Sequence, residues 1–296
     1  MPDISLRFNK DMLVLSSPVE ETLARQGVDV DQDLEYMILN EPEAIHDALN
    51  LENFAGAQCL VAPTTNLCQA QLAKRRMETC AQDIVKEAKA LANSLKPQHL
   101  LMEVGPCGLP LDPSSEASLK EHRGQYARAF AQLGTGDFDA VFLNGFDRLE
   151  DFQCALDAVA ESELDAPVFA SVTLNDEGCL ASRGTALEEA VACATDHGCS
   201  VFGFDTAQDA DAVQALVKRV KAACDLPILV QFRVREVNAK AYEPTPDNPY
   251  CRPDFMTTAA AKAYAAGAQF LRATGAATPS YSGALVATVM GLDVRL

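Results

Sequence analysis

The chain has no uninterrupted run of about 18 apolar residues, so a membrane-spanning helix is not expected. Its opening, Met1-Pro2-Asp3-Ile4-Ser5, lacks the basic stretch and long apolar run of a secretory leader. No Cys-x-x-Cys pair occurs. The nearest pairs, Cys193 with Cys199 and Cys59 with Cys68, lack the spacing of a structural zinc knuckle. The 10 cysteines therefore read mostly as reduced, small core residues of a cytoplasmic protein. Histidine is scarce, with only 4 in the chain. His46, His122 and His197 fall on helical patterns or at their ends, and His99 opens a strand at its amino end. None sits where a strand ends, which argues against a histidine-based metal or triad mechanism. Neither a P-loop nor an H-E-x-x-H helix is present. Basic residues are also few: 24 against 42 acidic ones, for a net charge of −18. Such a field repels phosphate backbones, so nucleic acid is not an expected partner.

What is present is a large supply of core. Hydrophobic residues make up 48% of the chain and charged residues 22%, a balance that buries a sizeable interior. A length of 296 residues is ordinary for one α/β barrel and does not force two domains.

Short apolar runs recur at Met12–Ser16, Ala57–Thr64, His99–Gly105, Ala140–Phe146, Pro167–Leu174, Ser200–Thr206, Pro227–Val234 and Gln269–Gly275. Most lack polar alternation, as in parallel strands buried on both faces. Helical stripes lie between them. Phe152, Ala155, Leu156 and Val159 repeat at i, i+3, i+4, i+7, as do Leu187, Ala190, Val191 and Ala194, and Val213, Leu216, Val217 and Val220. Thr185 followed by Glu188 has the form of a capping box. Gly56, Gly136, Gly198 and Gly267 precede strands, where glycine ends a helix in the left-handed conformation. Strand alternating with helix implies a parallel sheet with right-handed crossovers. Eight such units predict an α/β fold, a single (β/α)₈ TIM barrel over residues 1–296. The rival, an open doubly wound sheet, often carries a glycine-rich turn after its first strand. Here that place reads Ser16-Ser17-Pro18-Val19-Glu20. Two segments exceed the minimal unit. Residues 17–56 hold extra helices, and residues 235–254 form a long, proline-rich loop that is either a lid or a packed connector.

In a barrel the chemistry sits where the strands end. The polar residues there include Ser16, Ser17, Thr64, Thr65, Asn66, Glu103, Asn144, Ser171, Asp205, Thr206, Gln231, Arg233, Arg272 and Thr274. Glu103 and Asp205 are candidate catalytic carboxylates that share acid and base work, or else each pairs with a nearby arginine. Asn144, Thr206, Gln231, Arg233, Arg272 and Thr274 are candidate substrate ligands. The arginines either fork onto a carboxylate or phosphate, or close internal ion pairs. The turn Gly105-Pro106-Cys107-Gly108 lets a ligand approach the backbone. Cys107 is a candidate thiolate without an adjacent histidine in sequence, and a plain structural turn is its other reading.

The chain resembles the homocysteine S-methyltransferase family over nearly its whole length. The matching pieces are Asn40-Glu41-Pro42-Glu43-Ala44-Ile45, Ala55-Gly56-Ala57, Gly105-Pro106-Cys107-Gly108-Leu109-Pro110-Leu111, Ser171-Val172-Thr173-Leu174 and Gly203. The resemblance implies a (β/α)₈ barrel that uses zinc to activate a thiol for methyl transfer. The functional motifs differ. The family's Asp-Gly-x-x-Gly-Thr is replaced by Ser16-Ser17-Pro18-Val19-Glu20-Glu21, and its Thr-Asn-Thr-Phe by Ala62-Pro63-Thr64-Thr65. Its Glu-Thr becomes Asn144-Gly145. Its first zinc cysteine falls in Asp205-Thr206, and the other two in Leu271-Arg272-Ala273-Thr274-Gly275, so all three thiolates are missing. Asp205, Thr206 and Thr274 form a poor donor set for zinc, and Arg272 adds positive charge where the ion would sit. No metal ligands are therefore assigned, and zinc is not expected as cofactor. The first reading is a divergent methyltransferase acting on a thiol or other small acceptor. Its methyl donor is a small molecule or a corrinoid protein partner. The second is a repurposed barrel that binds a small anionic metabolite. The third is a lyase or aldolase with a carboxylate base. A homo-oligomer is compatible with all three.

Overall fold

The computed structural model describes residues 3–293. The strands are β1 (Leu13–Leu15), β2 (Cys59–Ala62), β3 (His99–Val104), β4 (Ala140–Phe146), β5 (Val168–Thr173), β6 (Val201–Thr206), β7 (Ile228–Val234) and β8 (Phe270–Gly275). All neighbouring pairs are parallel, and β8 closes on β1 through Leu13–Phe270 and Leu15–Arg272. The result is a closed barrel with its strands in sequence order, the single (β/α)₈ architecture the sequence predicts.

The helices are α1 (Glu20–Ala24), α2 (Val30–Asn40), α3 (Pro42–Phe54), α4 (Gln69–Lys74), α5 (Ala81–Ser94), α6 (Glu116–Leu133), α7 (Leu149–Ala160), α8 (Leu187–Asp196), α9 (Ala210–Ala223), α10 (Pro253–Ala266) and α11 (Pro279–Asp293). The segment between β1 and β2 holds α1, α2 and α3. The long connection after β7 carries no named element before α10, and its only ladder feature is a Thr245–Asn248 bridge. Among the described residues, no helix is long and apolar enough to cross a membrane.

Two apolar layers hold the barrel. The larger lies between sheet and helices, where outward residues such as Leu60, Met102, Val141, Phe202 and Leu271 meet the helical stripes. The smaller fills the barrel itself with Leu13, Leu15, Val61, Leu101, Phe142, Phe169, Leu229 and Phe270. The amino end is plugged by Ile4 of a short 3₁₀ turn and by Phe8, whose ring meets Phe169 and Phe270 at 6.0 and 5.9 Å. Strand residues two apart share a face. Leu101 inside therefore puts Glu103 inside, and Leu229 does the same for Gln231 and Arg233. On β3 to β8 the inward face turns from apolar to polar toward the strand's end. Gly203 makes room in this interior, because a Cβ there would lie 3.0 Å from Cβ of Leu229.

Gly267 ends α10 in the left-handed conformation at φ 109°, with N–H donated to Tyr264 O at 2.9 Å. The capping box expected at Thr185 does not form. The cap position of α8 is Ala186, without a side-chain hydrogen bond. A short antiparallel bridge, Cys179 to Ala186, takes this segment instead, and Thr185 O accepts from Leu180 N–H at 2.8 Å.

Candidate active site

The polar ends of the inward faces meet in one buried network. Glu103 on β3 accepts from Asn144 Nδ2 on β4 at 2.7 Å and from Arg272 Nη2 on β8 at 3.1 Å. Gln231 on β7 donates to Asn144 Oδ1 at 2.7 Å and to Ser171 Oγ on β5 at 2.8 Å. Arg272 also donates through Nε to Ser16 O at 2.9 Å and through Nη1 to Gln231 Oε1 at 3.3 Å. Its guanidinium carbon lies 5.3 Å from the Phe142 ring centroid. Every nitrogen of this guanidinium thus has a protein acceptor. Only 1% of its side chain is exposed, so this guanidinium is held inside the barrel by protein acceptors.

A second cluster sits nearer the mouth. Asp205 on β6 meets Arg233 Nε at 2.7 Å and accepts from Thr274 Oγ1 at 3.1 Å. Burial pushes the Asp205 carboxyl above the usual range, and the Arg233 guanidinium opposes that rise. Arg233 keeps 31% of its side chain exposed, so of the two arginines it is the one a solute can reach.

The remaining candidates lie apart. Thr206 is fully buried, on the face of β6 opposite Asp205, and its Oγ1 accepts from Gln208 N–H at 3.2 Å. Gly105 is pressed against the loop after β2. Its N–H donates to Thr65 O at 2.9 Å, and a Cβ would lie 2.7 Å from Thr65 Cγ2. Cys107 is buried against α6, where its N–H donates to Tyr126 Oη at 3.0 Å. Burial holds its thiol above the ordinary range, the reverse of an activated thiolate.

Three acidic groups escaped the sequence reading. Glu20, half-buried in the first turn of α1, feels the negative charge of Glu103 and the positive charge of Arg272. Desolvation, reinforced by Glu103, pushes its carboxyl up to about 7. Glu52 on α3 accepts from Ser17 N–H at 2.9 Å and from Ser282 Oγ at 2.5 Å, and burial pushes it up to about 7 as well. Glu35 on α2 meets Arg75 Nε at 2.9 Å and accepts from Asn66 Nδ2 at 2.9 Å, locking α2 to the loop after β2. The available signal for Glu20 was its place in the loop after β1, at the end of the barrel where chemistry sits. Glu35 and Glu52 lie on helices, and their polar partners come from distant parts of the chain.

The three positions that the resemblance assigns to zinc do not fit the ion. Thr206 faces away from the mouth, Ala273 offers a methyl group, and Thr274 spends its hydroxyl proton on Asp205. The Arg233 and Arg272 guanidiniums stand where a dication would need negative charge.

The homocysteine S-methyltransferase family model matches residues 13–272. Among solved structures, the chain is similar to the Escherichia coli homocysteine methyltransferase MmuM. To its metallated form the similarity is 18% identity at a TM-score of 0.74, covering 96% of this chain and 98% of that one. To its oxidised form the identity is again 18% with the same coverage, at a TM-score of 0.76. At this identity the likeness speaks for the fold. No curated protein matches the chain in sequence. A family match running from the first strand into the last makes the conclusion plain: the chain belongs to the homocysteine S-methyltransferase family.

Proposed function

We propose that this family member transfers a methyl group to the sulfur of a small amino-acid thiol of the homocysteine class. It does so without a three-thiolate zinc site, and Glu20 is the base that takes the thiol proton. The observation that carries this reading is the placement of Glu20 in the first turn of α1, directly after β1 at the barrel mouth, where the charges of both Glu103 and Arg272 act on it and burial raises its carboxyl. A base is most effective when its pKa lies near the working pH. Only the thiolate attacks a methyl carbon well, and zinc elsewhere in the family serves to make that thiolate. Here the S–H proton passes to the Glu20 carboxylate, and the sulfur pair forms the new S–CH₃ bond. The bond from methyl to donor breaks, with its electrons going to the donor. Arg233 holds the acceptor's carboxylate, since its guanidinium is partly open to solvent. The inner network around Arg272 and Glu103 acts as a rigid floor beneath the reacting groups.

The donor is a small molecule with an activated methyl group, or a corrinoid protein. We place the reaction in the cytoplasm, a reading that its 10 free cysteines support.

The test is methyl transfer to homocysteine from sulfonium, ammonium and corrinoid donors, followed across pH. The expected kcat/KM rises about tenfold per pH unit below 7 and levels off above it. Glu20→Gln lowers it by about 10²–10⁴-fold and flattens the profile. A profile unchanged in Glu20→Gln, or no transfer from any of these donors, would overturn the reading.

A further inference from the structure

The turn after β3 is held against two helices outside the barrel, and three side chains meet there. Cys107 comes from the turn, His122 from α6 and Asp151 from α7. Their sulfur, ring-nitrogen and carboxylate-oxygen atoms all lie within 4.8 Å of one another. Cys107 and His122 are buried and Asp151 is half-buried. Tyr126 ties two of them together: its hydroxyl accepts from Cys107 N–H at 3.0 Å and donates to Asp151 Oδ1 at 2.7 Å.

The imidazole poses a problem of its own. Nδ1 of His122 lies 2.8 Å from Ser118 O, and Nε2 lies 3.3 Å from Leu109 O. A neutral imidazole has one N–H and one lone pair. With Nδ1–H donated to Ser118, the Nε2 lone pair faces a carbonyl oxygen in a buried site. A cation removes that conflict, either as a second proton or as a metal ion. A thiol and a carboxyl beside the same nitrogen supply, once deprotonated, the negative charge that a dication needs.

We infer that Cys107, His122 and Asp151 bind a zinc ion. Sulfur, imidazole nitrogen and carboxylate oxygen are zinc's own ligand types, and three protein ligands leave a fourth position for water. The supports are those of a metal site. The Ser118 carbonyl holds the histidine at Nδ1, and a phenol hydroxyl orients the carboxylate. The ion joins the turn after β3 to α6 and α7, next to the strand that carries Glu103. It is a different place from the ends of β6 and β8, and the inference stands whether or not Glu20 is the base.

Metal content of the purified full chain, equilibrated with zinc and washed, decides it. About one zinc per chain is expected in the wild type, and Cys107→Ser and Asp151→Asn each lose it. Cys80→Ser, which alters a partly exposed thiol elsewhere, retains it. Cobalt in place of zinc gives a thiolate-to-metal charge-transfer band that vanishes in Cys107→Ser. Tyr126→Phe weakens zinc binding about 10–100-fold through the carboxylate it orients. Should Cys107→Ser not fold, the cobalt band of the wild type and the loss in Asp151→Asn decide in its place. Folded wild-type protein without zinc would overturn the inference. Zinc retained in Cys107→Ser would overturn it equally.

Discussion

Arg272 on the last strand and Glu103 on the third face each other inside the barrel, Nη2 to Oε2 at 3.1 Å, with almost no access to water. Neither charge has a solvent alternative, so each depends on the other. Removing one leaves its partner charged and buried, which costs far more than the pair contributes. Arg272→Met is expected to lower unfolding stability by about 3–5 kcal/mol, measured by urea denaturation. The double variant Arg272→Met, Glu103→Gln should regain much of that loss. If Arg272→Met alone matches the wild type, the pair does not hold the barrel interior together.

Glu52 makes stability depend on pH. Its carboxyl is raised from 4.5 to about 7 in the folded chain, mainly by burial, while the hydrogen bonds from Ser282 and Ser17 oppose the rise. The folded state therefore binds the proton more tightly than the unfolded state does. Its contribution is fully present below about pH 4.5 and is lost as pH rises through about 7. Over that window the loss from this group is about 3 kcal/mol. Glu52→Gln keeps an acceptor for Ser17 and carries no charge. It should unfold at higher denaturant than wild type at pH 8 and show a flatter pH dependence. Equal slopes in the two proteins would mean that Glu52 ionises freely in the fold.

In the proposed reaction Arg233 binds the acceptor and does not react with it. Arg233→Lys keeps a positive charge beside Asp205 but loses the planar fork. KM for homocysteine is expected to rise about tenfold, the value of one weakened charge-assisted contact, with kcat near wild type. A fall in kcat with KM unchanged would move Arg233 from binding to the reaction itself.

Gly203 tests how tightly the barrel interior is packed. Its added methyl in Gly203→Ala would meet the Leu229 side chain at 3.0–3.2 Å. Overfilling of this kind costs about 1–3 kcal/mol, readable as a lower denaturation midpoint. The paired change Gly203→Ala, Leu229→Ala should relieve the crowding and leave a smaller loss than the two single losses added together.

Much of the fold was legible in the residues. Eight apolar runs, separated by stripes of helical period, specify strand–helix units, and a count of eight closes the barrel. The change along several inward faces, from Leu101 to Glu103 or from Phe270 to Arg272, also marked the polar end. These are local properties, carried by a period of two along a strand and 3.6 along a helix. The capping box at Thr185 was a local signal too, but a bridge within the same loop, Cys179 to Ala186, displaced it. The partner of each charge was not local. Glu103 met Arg272 because barrel closure brings strands far apart in sequence to one axis, and Asp205 met Arg233 because β6 and β7 pair side by side. The same closure and its outer helices set Glu20 near Glu103 and gathered Cys107, His122 and Asp151 from a turn and two helices. The sequence alone determined the units, their number and which end is polar. The tertiary structure alone decided which charges neutralise each other and which stay available, because that depends on distances across the barrel that no periodicity encodes.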